Sequence, residues 1–283
     1  MVYPVAVGFG AHWRCDTVRI HAIPVLSDNY VWLIEGDQGQ CAVVDPGEAA
    51  PVLAEIERRN LTLSAILLTH HHADHCQGVA GLRARFPVPV YGPSLEAKTW
   101  VTNPLADLDT FDLSHIGRFQ AWHTPGHTLG HISLISDGVA FVGDTLFSAG
   151  CGRLFEGSPE QMSASLDRLS SLPDDTMIYC GHEYTADSLR FAQFAEPNNE
   201  SIVQRIREVN EARAAGLPSV PTSLYVEKQT NPFLRIREPS LRTAILKHAR
   251  SESLSDADAF WTLRCWKDEF DDLPLLPRHS KNN

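Results

Sequence analysis

The chain has 283 residues, 43% hydrophobic and 21% charged, enough for one large core or one core with a smaller appended domain, and free of tracts biased toward disorder. Its formal net charge of −11 excludes a protein built to track nucleic acid, which needs a concentrated basic surface, although a few cations gathered at one pocket could still receive a small anion. Six scattered cysteines (Cys15, Cys41, Cys76, Cys151, Cys180, Cys265) form no C-x-x-C pair; with no leader-like start and no bilayer-length apolar run, the expectation is a cytoplasmic protein with free thiols and no membrane attachment.

Short apolar, β-branched runs predict strands over 18–25, 30–35, 41–44, 65–68, 88–91, 119–123, 132–135, 139–142 and 177–180. Helices are predicted over 51–60 and 158–172. In the second, Ser158, Pro159 and Gln161 supply a cap, a first-turn proline and a capping-box partner, and Leu166, Leu169 and Leu172 mark the buried face. Beyond about Thr185 the pattern turns helical, over 199–215, 240–250 and 256–270, with a proline-rich stretch around Pro218 and Pro221. No internal repeat of fixed period is present.

The segment Thr69-His70-His71-His72-Ala73-Asp74-His75 leaves the end of a predicted strand. Alternation puts His70 and His72 on one side, while Asp74 and His75 turn back toward a second position as a helix begins at His75. His127 follows Thr124-Pro125-Gly126, Asp144 follows the run 139–143, and His182 follows the run 177–181. If these strands lie side by side, their ends gather all seven residues on one rim. Imidazole and carboxylate at this density suit zinc, iron or manganese. His12, His21, His115 and His248 read as structural, His71, His123 and His131 as structural or outer neighbours of the ligands, and Cys76 as a small buried side chain.

This run, with His127, Asp144 and His182, resembles the metallo-β-lactamase superfamily, which implies an α/β fold, a four-layered αββα sandwich over residues 1–185. Residues 186–283 would form a C-terminal helical, substrate-binding domain. By that resemblance His70, His72 and His127 hold one divalent ion and Asp74, His75 and His182 another. Asp144 bridges both together with a nucleophilic hydroxide, making Asp74 and Asp144 the catalytic carboxylates. Zinc is expected ahead of iron or manganese.

Four further segments, Gly143-Asp144-Thr145-Leu146-Phe147, 151–157, Gly181-His182-Glu183-Tyr184-Thr185 and Thr230-Asn231-Pro232-Phe233-Leu234-Arg235, resemble the glyoxalase II (hydroxyacylglutathione hydrolase) family. The resemblance implies hydrolysis of S-(2-hydroxyacyl)glutathione thioesters by a monomer, with Arg153, Tyr184, Arg264 and Lys267 contacting the tripeptide. Taken alone, Arg264 and Lys267 would read as a solvated helix face. Some relatives have lysine where Arg153 stands and tyrosine where Phe155 stands, so Phe155 is not included among the contacts. Residues 1–15 precede the family's first strand and receive no role. A glutathione-persulfide dioxygenase of the same fold would use one iron and fewer ligands, which the full second ligand set disfavours; another thioester hydrolase of this fold is the nearest alternative. A non-catalytic binding protein would not need all seven ligands.

Overall fold

The computed structural model describes residues 18–96 and 98–272, so the expectations for residues 1–15, including His12 and Cys15, lie outside the described residues. The first sheet is built from β1 (Arg19–Val25), β2 (Asn29–Glu35), β3 (Gln40–Val44), β4 (Thr62–Leu67), β5 (Val90–Pro93) and β6 (Asn103–Leu105), in that spatial order. β1 to β3 pair antiparallel, and β3 to β6 pair parallel. The parallel pairs need crossovers. These carry α1 (Ala49–Arg58) between β3 and β4, and α2 (Ala73–Cys76) and α3 (Val79–Arg85) between β4 and β5.

The second sheet contains β7 (Thr110–Leu113), β8 (Gly117–His123), β9 (Ile132–Ser136) and β10 (Val139–Gly143). A small hairpin, β11 (Leu146–Phe147) with β12 (Gly150–Cys151), and α4 (Pro159–Ser170) follow before β13 (Met177–Cys180) pairs parallel with β10. The chain then forms α5 (Thr185–Ala195) and α6 (Glu200–Ala214), closes the sheet edge with β14 (Thr222–Ser223), and ends in α7 (Leu224–Thr230), α8 (Pro239–Ala249) and α9 (Asp256–Asp271). Because β14 pairs antiparallel with β13, the helical C-terminal region is stitched into the sandwich by one strand.

Strand alternation explains the layers. On β2, Val31 and Leu33 join Cys41, Val43 and Ile66 under Val52, Ile56, Val79 and Leu82 of α1 and α3. Trp32 and Ile34 face the other way, toward Ala42, Val44, Leu67 and, from the second sheet, Phe119, Ala121, Leu134 and Phe141. Each of these buried aliphatic side chains contributes roughly 1.5–3 kcal/mol by leaving water. The α4 cap forms as its residues dictate: Ser158 Oγ accepts the Gln161 amide at 3.3 Å, and the Ser158 amide donates to Gln161 Oε1 at 2.9 Å. Met162, Leu166 and Leu169 are buried, whereas Leu172 is only partly so.

Candidate metal centre

Every candidate ligand lies beyond a strand end, on the rim formed by the C-terminal ends of β4, β8, β10 and β13. The segment after β4 carries His70 and His72, and α2 starts at Ala73, two residues before the expected helix start, so Asp74 and His75 both sit on its single turn. His127 stands in the β8–β9 connection, Asp144 directly after β10, and His182 two residues after β13. Gly143 has φ +46, and a Cβ there would lie 2.7 Å from His131 Nε2; only glycine lets the chain turn so close to that ring.

His70, His72 and His127 present ligand atoms within 4.8 Å of one another, as do Asp74, His75 and His182. Asp144 lies between the triads, with Oδ1 3.4 Å from His75 Nε2 and Oδ2 3.4 Å from His127 Nε2 and 3.3 Å from His182 Nε2. The structure thus brings all seven expected residues together in two groups of three with one carboxylate shared. Two overlapping groups, Asp45 with His70 and His75, and His71 with His72 and Glu156, also bring their ligand atoms within 4.8 Å of one another. Asp45 is already committed, accepting the Thr69 amide at 2.8 Å and hydroxyl at 2.7 Å and lying 3.1 Å from His75 Nδ1.

Outer partners decide which nitrogen each ring offers. His75 Nδ1 faces Asp45 at 3.1 Å, His127 Nδ1 faces the Arg153 carbonyl at 2.7 Å, and His182 Nδ1 faces Asp28 at 2.9 Å. Each contact keeps a proton on Nδ1 and turns Nε2 inward as the nitrogen a metal ion would take, the arrangement that orients metal-binding histidines. Asn29 Nδ2 donates to Asp74 Oδ2 at 2.9 Å, fixing that carboxylate toward His182.

Whether this donor set fits metal ions is answered by its unsatisfied atoms. His70 Nε2 and Asp144 Oδ1 are buried without a hydrogen-bond partner among the described residues, a state that costs about 1–3 kcal/mol per group unless something coordinates them. Burial holds His70 well below the usual imidazole range, keeping it a neutral donor. Burial opposes charge on His182 as well, yet Asp144, Asp28 and Asp74 outweigh it and push the ring up to about 11. Burial would likewise raise Asp144, but His75 and His182 hold it well below the usual carboxylate range. The centre therefore gathers more anionic charge than its histidines neutralise without binding protons, and divalent cations meet that need.

The other histidines belong to neither triad, although His131 and His71 lie against the first. His21 lies 2.8 Å from Glu35, His123 Nε2 2.9 Å from the Leu129 carbonyl, and His248 stacks on Trp266 with centroids 4.4 Å apart. His115 adopts φ 67 in the turn before β8. His131 is fully buried, stacks on His70 and accepts the Asp144 amide on Nε2 at 3.1 Å. His71 Nδ1 lies 2.8 Å from Glu96. Asp28, Asn29, Asp45, Thr69 and Glu96 were not singled out from sequence. Only Asp45, in Asp45-Pro46-Gly47 at the end of an apolar run, carried a signal comparable to that of Asp144.

Of the expected substrate contacts, Tyr184 is 37% exposed and stacks on His182, with centroids 4.7 Å apart and planes 7° from parallel. The Arg153 side chain is exposed and its Nε lies 3.3 Å from Asp268. Arg264 and Lys267 are not on a solvated face: they are 4% and 7% exposed. Arg264 donates to the Cys151 carbonyl and to Asp268, both at 3.1 Å, with its guanidinium over the Phe233 ring. Lys267 Nζ lies 2.5 Å from Asp271. Phe155 is 65% exposed and stands edge-on to His72 and His127, with centroids 5.6 and 5.2 Å away.

The metallo-β-lactamase superfamily model matches residues 26–182, and the model for the C-terminus of hydroxyacylglutathione hydrolase matches 183–270. A hydroxyacylglutathione hydrolase from Alkalilimnicola ehrlichii is 49% identical over 253 residues, covering 89% of this chain and 99% of the relative. Among solved structures, the B3 metallo-β-lactamase BLEG-1 superposes with a TM-score of 0.60 at 23% identity, over 76% of this chain and 99% of its own. A di-iron-bound form of TTHA1623 superposes with a TM-score of 0.52 at 29% identity, over 73% of this chain and 95% of its own. The two model matches meet at His182 and Glu183, where the last candidate ligand gives way to the helical region, and the chain belongs to the hydroxyacylglutathione hydrolase family of the metallo-β-lactamase superfamily.

Proposed function

We propose that the chain hydrolyses S-(2-hydroxyacyl)glutathione thioesters to glutathione and a 2-hydroxy acid. The observation that carries this reading is the pair of ligand triads with Asp144 between them, joined to the family's own C-terminal region. His70, His72 and His127 would hold one divalent ion, Asp74, His75 and His182 the other, and Asp144 both. Bound there, such ions, zinc ahead of iron or manganese, supply Lewis acidity that acidifies water and polarises a carbonyl.

The protein's own residues do the rest. Asp28, Asp45 and the Arg153 carbonyl fix the inward nitrogens, and Asn29 orients Asp74. With their Nδ1 atoms committed outward, His75, His127 and His182 offer no spare general acid. A thioester suits this, because a thiolate with pKa about 8.5 departs without protonation whereas an amine does not. Tyr184 and Arg153 are proposed to contact the tripeptide from the rim, and Arg264 and Lys267 to hold a carboxylate from α9. On this reading residues 1–185 carry the chemistry and 186–283 complete the substrate site. The free thiols at all five described cysteines suit a reducing cytoplasm.

The test is thiol release from S-lactoylglutathione by the metal-replete protein, with metal content measured on the same sample. Turnover with two ions per chain is expected. Two bound ions without turnover on any 2-hydroxyacylglutathione would sink the substrate assignment, and a β-lactam hydrolysed faster than the thioester would replace it.

A further inference from the structure

We propose that Glu96 is a positioning residue that holds the first metal-binding triad together and leaves the second untouched. The inference rests on the two-metal reading of the site. Glu96 ends the short turn Ser94–Glu96, and its side chain is only 7% exposed. Oε2 accepts the His71 amide at 3.1 Å and lies 2.8 Å from His71 Nδ1, while Oε1 accepts the Gly130 amide at 2.6 Å.

Those contacts join the two chain segments that build the first triad. His71 stands between His70 and His72, and Gly130 closes the loop that begins at His127. The loop packs as well as bonds here, since a Cβ on Gly130 would lie 2.5 Å from Glu96 Cγ. Glu156 adds a weaker tie between the same segments, accepting the Leu129 amide at 3.0 Å and lying 3.3 Å from His71 Nε2. The second triad draws on different partners, Asn29, Asp45 and Asp28.

An ionised carboxylate only accepts, so it can serve donors on both oxygens at once. Alanine at this position leaves the His71 and Gly130 amides without their acceptor. Glutamine keeps one acceptor and turns an NH2 group toward one of those amides, so Glu96→Gln should fall between wild type and Glu96→Ala.

The experiment titrates zinc into metal-depleted, refolding-checked protein against a chromophoric chelator, with cobalt(II) spectra as a second readout. Wild type should bind two ions. Glu96→Ala should weaken one of them about tenfold, the low end of the cost of losing an outer partner of a metal ligand, because Glu96 braces the segments that carry the ligands rather than a ligand ring, and leave the other unchanged. Glu96→Gln should show a smaller loss in the same ion, and carries the comparison alone if the alanine variant does not fold.

Ligand variants assign the ion. In a His182→Ala background, where the surviving ion sits in the first triad, Glu96→Ala should weaken it by the same factor. In a His127→Ala background, where the survivor sits in the second triad, it should change nothing. Equal weakening of both ions, no weakening of either, or a loss confined to the His127→Ala background overturns the proposal. Wild type that binds fewer than two ions overturns the two-metal reading itself, and the proposal with it.

Discussion

Arg264→Ala separates two roles that the structure gives one side chain. The guanidinium is almost completely buried; it donates to the Cys151 carbonyl and to Asp268 and lies 5.0 Å from the centroid of the Phe233 ring. A charged hydrogen bond to a buried carbonyl contributes about 1.5–3 kcal/mol, and the half-open pair with Asp268 less than about 1 kcal/mol. The ring contact adds about 0.5–2 kcal/mol. Allowing for overlap between these terms, the variant should lose roughly 2–5 kcal/mol, read by circular dichroism as a Tm lower by about 5–15 °C. Kinetics then report on binding. Arg153 and Arg264 share Asp268, and Lys267 has Asp271, so a glutathione carboxylate must displace an internal one. If it does, Arg264→Ala should raise KM for the glutathione thioester about tenfold to a hundredfold with kcat nearly unchanged, and should leave a small thioester lacking those carboxylates unaffected. Equal loss of kcat on both substrates would refute the anchoring role, because Arg264 would then act only by bracing the hairpin next to Asp144.

Asp144→Ala should abolish nearly all hydrolysis and lower metal content toward one or zero per chain, since its two oxygens face both triads; full activity with two ions would show that it bridges nothing. His71→Ala should cost far less metal than His70→Ala, because Glu96 keeps its contacts to the His71 and Gly130 amides; equal losses in metal analysis would place His71 among the ligands. Gly181→Ala would put a Cβ 2.5 Å from Asp144 Oδ1 and 2.6 Å from His75 Cε1, so its metal content and activity should fall together, and a variant with normal zinc content would refute the crowding argument.

Legibility in the sequence followed length and local signal. Strands with four or more apolar residues in register were foreseen within a few residues, as was α4, whose cap, proline and leucine stripe agree with one another. β11, β12 and β14 have two residues each, too short for any period to register; they exist because Asn231 Nδ2 donates to the Phe147 and Gly150 carbonyls and because β13 offers β14 an open edge. Arg264 and Lys267 concealed their burial in a different way. Each carries an acid four residues later on α9, a pattern that reads as a solvated face unless Phe191 and Phe233, distant in sequence, are known to lie beneath it.

The candidate ligands stood out in the sequence for a reason their outer partners could not share. Four of the seven stand within six residues, and the other three each follow an apolar run and a glycine, so chain geometry alone points them to one rim. Asp28, Asp45 and Glu96 act at one remove, on histidine rings and backbone amides of other segments, and a lone acid in a polar turn looks the same whether or not a ring waits opposite it. Yet carboxylates give the centre its electrostatic character. Burial works against charge on His182, and Asp144, Asp28 and Asp74, from three separate segments, overcome it. In the absence of cations, protons on the histidines must balance that excess, and cations entering the site displace them. The acidity that argued against nucleic acid at the level of the whole chain is, at this rim, part of what makes the histidines a site for divalent metal.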